Sequence, residues 1–309
     1  MAPFVQQYGA LLLDGGLATE LEKRGYDLDH PLWSARLLRD EPEAIVAVHR
    51  AYLEAGADCL IGASYQASIP GLLAAGTTRR QADALLRQSV ALACRARDEY
   101  GEYSTTGSLR PLVAASIGPY GAYLANGAEY RGDYGISAAV LRDFHQPRWE
   151  LLAASSADLL ACETIPSRLE AEVLLDLLQQ TPDVNAWISF SCRDGRHISD
   201  GTPIADCAAL MADCPQVLAV GVNCTPPRYI SSLLAQIQRG APAVPAVVYP
   251  NSGETYRADK RVWSGQADPL NFAREATRWQ RAGACLIGGC CRTGPGHIAA
   301  LRQTLKPKT

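Results

Sequence analysis

The stretch CLIGGCCRTG, Cys285 to Gly294, decides how this chain is read. A short apolar run, closed by Gly288-Gly289, has the form of a strand buried on both faces. The same form recurs upstream at Leu11–Asp14, Cys59–Ser64, Leu112–Ser116, Leu159–Glu163, Ala186–Ser191, Leu218–Cys224 and Ala246–Asn251. These runs are rich in Leu, Ile, Val and Ala and do not alternate with polar residues, as expected of parallel strands covered on both sides.

Amphipathic helices separate them. Glu41–Ala55 carries Ile45, Val48, Tyr52 and Ala55 on one face. Ser167–Gln180 opens with Ser167 and Glu170 at capping-box spacing. Pro226-Pro227 starts a helix to Gln238 that Gly240 is expected to stop. Pro269–Arg281 and Gly296–Leu305 supply the last two helices. Strand-helix alternation repeated eight times predicts an α/β fold, a (β/α)8 TIM barrel, as a single domain over residues 1–309. A doubly wound sheet is the alternative, but Asp14-Gly15-Gly16-Leu17 after the first strand lacks the G-x-G-x-x-G spacing of its phosphate loop.

The 309 residues are 48% hydrophobic and 20% charged, enough apolar material for one large core. A net charge of −3, with Lys and Arg scattered, gives no basis for binding nucleic acid or an anionic membrane. The N-terminus lacks the pattern of a secretory signal, and no apolar run is long enough to span a bilayer. The expected compartment is the cytoplasm, where ten cysteines are mostly free thiols. Asn223-Cys224-Thr225 matches a glycosylation sequon but has no meaning there.

In such a barrel, chemistry collects at the C-terminal ends of the strands. That rim receives Asp14, Tyr65, Ser116, Glu163, Ser191, Cys224, Asn251 and the pair Cys290–Cys291. Two connections on the same side are long, Gly118–Gly135 (GPYGAYLANGAEYRGDYG) and Ser252–Asp268. Long loops of this composition form lids or walls of a site.

Adjacent residues of a regular strand point to opposite faces, so Cys290 and Cys291 need a broken pleat to share one target. Gly288-Gly289 are expected to supply the backbone angles for that break. Three readings remain open at this point: buried core thiols, a strained redox disulfide, or two ligands of one metal. Cys224 at the end of the sixth run makes a third thiolate on the same rim. Cys59, Cys94, Cys162, Cys192, Cys207, Cys214 and Cys285 read as structural, and no histidine falls at a strand end. Three protein thiolates leave a fourth position on Zn2+ open, suited to holding a substrate thiol rather than activating water.

The motifs GVNC (Gly221–Cys224) and GGCC (Gly288–Cys291) resemble the homocysteine S-methyltransferase family. DGG at Asp14–Gly16, ACET at Ala161–Thr164, SIGPYG at Ser116–Gly121 and YPNSGE at Tyr249–Glu254 extend the resemblance over nearly the whole chain. The long loop and SDGTP (Ser199–Pro203) are similar to the S-methylmethionine-dependent branch. The resemblance implies a barrel binding one Zn2+ through Cys224, Cys290 and Cys291, and methyl transfer from S-methylmethionine to homocysteine to give methionine. S-adenosylmethionine is a lesser donor, and a betaine donor or a vicinal-dithiol redox protein are the alternatives. It further implies that Asp14 and Glu163 hold the homocysteine ammonium. Backbone N–H groups over Gly15–Leu17 are placed to receive its carboxylate. Tyr65 is expected in the pocket wall, with core packing as its other reading. Tyr120, Tyr123, Tyr130 and Tyr134 either face a sulfonium or fold the long loop on itself. The expected partners are small molecules only, with the protein a monomer or small homo-oligomer.

Overall fold

The computed structural model describes residues 1–28, 32–101, 109–257, 262–264 and 268–305. Its barrel strands are β1 (Leu11–Leu12), β2 (Cys59–Ile61), β3 (Leu112–Ile117), β4 (Leu159–Ile165), β5 (Ala186–Phe190), β6 (Val217–Asn223), β7 (Ala246–Tyr249) and β8 (Ala284–Ile287). From β2 onward each strand pairs in parallel with the next, and β8 returns to β1 with Leu286 opposite Leu11. One bridge, Leu13 to Cys59, closes the circle between β1 and β2. Asp58 reinforces that seam. Its N–H donates to the Leu12 carbonyl (2.7 Å), its Oδ2 accepts the Leu12 N–H (2.8 Å) and its Oδ1 meets Arg302 (3.1 Å). The predicted (β/α)8 barrel is the observed fold.

Alternate strand residues divide between two apolar cores. Leu11, Leu13, Ala114, Ala161, Trp187, Ala219, Val247 and Leu286 fill the barrel interior, while Leu12, Val113, Leu160, Ile188, Val220 and Ile287 pack under the helices. Alanines at 114, 161 and 219 leave room for the Trp187 indole, which donates to the Tyr249 hydroxyl at 3.0 Å. An unforeseen helix, Ala2–Tyr8, adds Phe4 to the interior cluster.

The helices fall close to their expected spans, at Pro42–Glu54, Arg168–Gln179, Pro269–Arg281 and Pro295–Leu305. Gly240 is a correction. The helix runs Ile230–Gly240 and is capped by Ala241, so this glycine is its last residue and not the residue beyond its end. A Cβ there would stand 2.0 Å from the Ala205 carbonyl oxygen, so glycine is required by close helix-helix approach.

The loop Gly118–Gly135 contains a short helix, Tyr120–Leu124, and a 3-10 turn, Ala128–Tyr130. In the other long connection, Thr255–Arg257 pairs antiparallel with Val262–Ser264. Residues 258–261 and 265–267 of that expected lid lie outside the described residues. Among the described residues, no helix is long and apolar enough to cross a membrane.

Candidate metal and substrate site

Cys224 follows β6 directly, and Cys290 and Cys291 follow β8 after its two glycines. The three sulfurs lie within 4.8 Å of one another, and Cys224 and Cys291 approach to 3.5 Å. Thiolates on one tetrahedral Zn2+, each at about 2.3 Å from it, stand roughly 3.8 Å apart, so the cluster is within a small adjustment of that geometry. All ten cysteines are free thiols.

The glycines act differently from the expectation. Neither Gly288 nor Gly289 has a positive φ; the left-handed residues here are Cys224 (φ 48°) and Arg292 (φ 65°). Space is what demands glycine. A Cβ on Gly288 would lie 2.6 Å from Leu13 Cβ, and one on Gly289 would lie 2.3 Å from Thr293 Oγ1. The segment leaves the pleat with its main chain bonded instead to the loop after β7 and to its own next turn. Cys290 N–H donates to the Pro250 carbonyl (2.8 Å), Ser252 N–H donates to the Cys291 carbonyl (3.0 Å), and Thr293 Oγ1 donates to the Cys290 carbonyl (2.7 Å).

Asn223 holds Cys224 in its strained conformation. Its Oδ1 accepts from Thr164 N–H (2.7 Å) and Ser189 Oγ (2.9 Å), while its Nδ2 donates to Thr164 Oγ1 (2.7 Å). Thr164 is itself left-handed (φ 59°). Each such residue costs on the order of 1–3 kcal/mol, which these buried bonds must offset. The effect is to bolt the GVNC and ACET motifs together, fixing Glu163 relative to Cys224.

Two buried acids face each other near the thiols. Asp14 accepts from Ile61 N–H at 2.9 Å through Oδ2, while its buried Oδ1 has no hydrogen-bond partner. Burial raises its carboxyl well above the usual range, with the Glu163 charge adding to the rise. Glu163 accepts from Ser116 Oγ, and burial lifts it to about 7. Two buried carboxyls with raised proton affinity, one of them with an orphaned oxygen, form a cradle for a cation.

Gly15 packs tightly against Thr293 and Tyr52, and Gly16 against the Cys290 carbonyl and Thr19. Of the backbone N–H groups expected to face a carboxylate, that of Gly16 is bonded to the Thr293 carbonyl (3.0 Å). Tyr65 is half-buried, and its carbonyl lies where a Cβ on Gly118 would collide (2.2 Å). Burial, then the charges of Glu129 and Cys224, push its phenol well up, placing it beside the site.

The loop tyrosines divide between their two readings. Tyr120 stacks with Tyr123, Tyr134 and Phe144 at centroid distances of 5.7, 5.4 and 5.0 Å, folding the loop on itself. Tyr130 alone reaches the cluster, its hydroxyl 3.1 Å from the Cys224 sulfur. Glu129 beside it has a buried Oε2 without a partner, and burial raises its carboxyl to about 6. Neither residue was separable from its loop neighbours by spacing alone.

Without a cation, the thiols share charge unequally. Hydrogen bonds with Cys224 and then Cys291 push the Cys290 thiol well up, while bonds with Cys224 and Cys290 bring Cys291 well below its ordinary value. Only a positive ion lets all three ionise in so small a volume. The donor set is all sulfur, as a soft divalent metal requires.

The family model for homocysteine S-methyltransferase matches residues 11–305. Homocysteine S-methyltransferase YbgG of Bacillus subtilis is 48% identical over 304 residues, covering 97% of this chain and 96% of the relative. The Escherichia coli homocysteine S-methyltransferase is 50% identical, covering 94% of each. The crystal structure of the metallated form of the E. coli homocysteine methyltransferase MmuM superposes with a TM-score of 0.86, at 48% identity and covering 97% of this chain and 98% of that one. With a matching barrel, a matching sequence and a cluster of three thiols on its rim, this chain belongs to the homocysteine S-methyltransferase family.

Proposed function

We propose that the chain, acting as a single domain, transfers a methyl group from S-methylmethionine to homocysteine, with Zn2+ held by Cys224, Cys290 and Cys291. The observation that carries this reading is the convergence of three thiols beside two buried acids, one of which, Asp14, keeps an oxygen without a partner. A zinc ion with three protein thiolates supplies one thing, a centre on which a substrate thiol loses its proton near neutral pH.

The rest falls to the protein. Asp14 and Glu163 take the homocysteine ammonium, whose charge brings both raised carboxyls to their ionised form. Backbone at Gly15 lies on the carboxylate side, and Tyr65 walls the pocket. The donor sulfonium lies under Glu129 and Tyr130, opposite the homocysteine sulfur. A lone pair on that sulfur forms the new bond to the methyl carbon. The bond from methyl to sulfonium breaks, and the donor leaves as a neutral thioether. With S-methylmethionine both products are methionine, and the thiol proton passes to solvent. Charge is neutralised in this step, so a loop that excludes water favours it. S-adenosylmethionine shares the sulfonium and is the lesser donor.

A donor panel of S-methylmethionine, S-adenosylmethionine and betaine, assayed with homocysteine and with or without zinc, tests this. The expected result is methionine formation that is fastest with S-methylmethionine and restored by zinc after chelation. Turnover with betaine alone, or turnover indifferent to zinc, would sink the reading.

A further inference from the structure

Behind the loop Gly118–Gly135 lies a cluster of charged residues that the chemistry above does not use. Glu170 and His145 are 0% exposed and Arg148 is 1% exposed. Such groups are costly to bury, and a protein retains them where they fix one arrangement of its parts. Ser167 and Glu170 have capping-box spacing, and Ser167 does cap the helix Arg168–Gln179, accepting from the Glu170 N–H at 3.3 Å. The Glu170 carboxylate turns elsewhere. Its Oε1 accepts from Tyr120 N–H (2.5 Å) and stands 2.8 Å from His145 Nε2, and its Oε2 accepts from the Tyr134 hydroxyl (3.1 Å).

Arg148 completes the cluster. Its Nη2 lies 2.8 Å from His145 Nδ1 and also donates to the Gly118 carbonyl. Arginine can only donate, so Nδ1 accepts and the imidazole proton sits on Nε2, directed at Glu170. The Tyr134 hydroxyl in turn accepts from Gly121 N–H (3.0 Å). Gly118, Tyr120, Gly121 and Tyr134 are therefore all tied to one buried cluster, at both ends of the loop.

A second set of bonds holds the loop's middle. Ser191 Oγ donates to the Glu129 carbonyl (2.8 Å), and Ser199, the first residue of SDGTP, lies with its Oγ 2.8 Å from that of Ser191. Between the two sets of anchors, Tyr130 stands against the Cys224 sulfur.

We propose that Glu170, with His145 and Arg148, is a positioning residue that fixes the Gly118–Gly135 loop and thereby holds Glu129 and Tyr130 over the thiols as the donor side of the site. The two segments whose sequence is similar to the S-methylmethionine-dependent branch, the long loop and SDGTP, are joined in three dimensions through Ser191. In the proposed reaction homocysteine is held by Asp14 and Glu163, whose own hydrogen bonds run to Ile61 and Ser116 and not to this cluster. The assignment of the loop to the donor rests on the proposed methyl transfer; the latch itself does not.

The test uses the full chain loaded with zinc, as wild type, Glu170→Gln and the milder Tyr134→Phe. Amide hydrogen exchange over residues 118–135 reads the latch, calorimetry without donor reads homocysteine binding, and steady-state kinetics read donor KM and kcat separately. Glu170→Gln should speed exchange across the loop and raise donor KM about tenfold, with kcat and homocysteine affinity within roughly twofold of wild type. Tyr134→Phe should move both loop exchange and donor KM in the same direction by a smaller factor. Unchanged exchange in both variants would overturn the latch. Faster exchange with an equal loss of homocysteine affinity would overturn its restriction to the donor side. If wild type accepts no sulfonium donor, the methyl-transfer reading fails while the exchange result still decides the latch.

Discussion

The rim that carries the thiols and the loop that covers it are held in place by different physics. On the rim, Asp14, Cys224, Cys290 and Cys291 stand just beyond strand ends and Glu163 two residues before the end of β4, and main-chain bonds around those ends set their positions. The loop has few such bonds to the barrel and relies on side chains distant in sequence, Glu170, Arg148 and Ser191. A rim of this kind tolerates little change because each residue is both structure and chemistry. A latched loop can be loosened by degrees, so its variants should separate one substrate from the other.

Removing a rim sulfur should have the largest effect. Cys224→Ala leaves two thiols, and activity is expected to fall by a factor on the order of 10³ or more, with metal content dropping in parallel. Elemental analysis beside the assay checks this; a variant retaining one metal per chain and near-normal turnover would break the comparison at its stronger side.

Glu163→Gln should come next, and it should move function and stability in opposite directions. Losing the charged partner of the ammonium is expected to weaken homocysteine binding by about 10–100-fold. Stability follows from the raised carboxyl. Because Glu163 sits at about 7 against an ordinary 4.5, the folded protein binds the extra proton between those values. Stability of the metal-free protein therefore falls as pH rises from 4.5 to 7, by up to about 3 kcal/mol from this group. Glu163→Gln should be relatively more stable at pH 8 and show no such gain at pH 4. Denaturant melts at the two pH values read the difference, and an equal change at both would remove the burial explanation.

Gly132→Ala should have the smallest effect and sharpen the loop side. Gly132 has φ 75°, and a Cβ there would lie 2.6 Å from the Pro166 carbonyl oxygen. A cost of about 1–3 kcal/mol is expected in local order. It should appear as a few-fold rise in donor KM with homocysteine affinity unchanged; an effect on homocysteine instead would blur the division between rim and loop.

Much of the rim was legible in sequence because strands announce themselves locally. Leu159–Cys162 and Leu218–Val222 are apolar runs that break at or next to a residue of the site, Glu163 and Cys224, so pattern and placement nearly coincide. The glycines were harder. Gly288 and Gly289 are evident as small residues, but a sequence does not say whether a glycine supplies an angle or a space; here Leu13 and Thr293 decide for space. Gly240 misleads for the same reason, with Ala205 across the contact. Glu170 is the clearest case. Its spacing from Ser167 is that of a helix cap, while its carboxylate is drawn to His145, Tyr134 and Tyr120, none of them near it in the chain.

The sequence by itself determined the eight strands, their closure into a barrel and the three cysteines on its rim, because those follow from local apolar pattern and from where strands end. Tertiary structure alone decided which residue takes the strained backbone, which tyrosine reaches the sulfur and which buried charges hold the loop. These depend on distances between segments far apart in the chain, and packing sets such distances only once the barrel has closed.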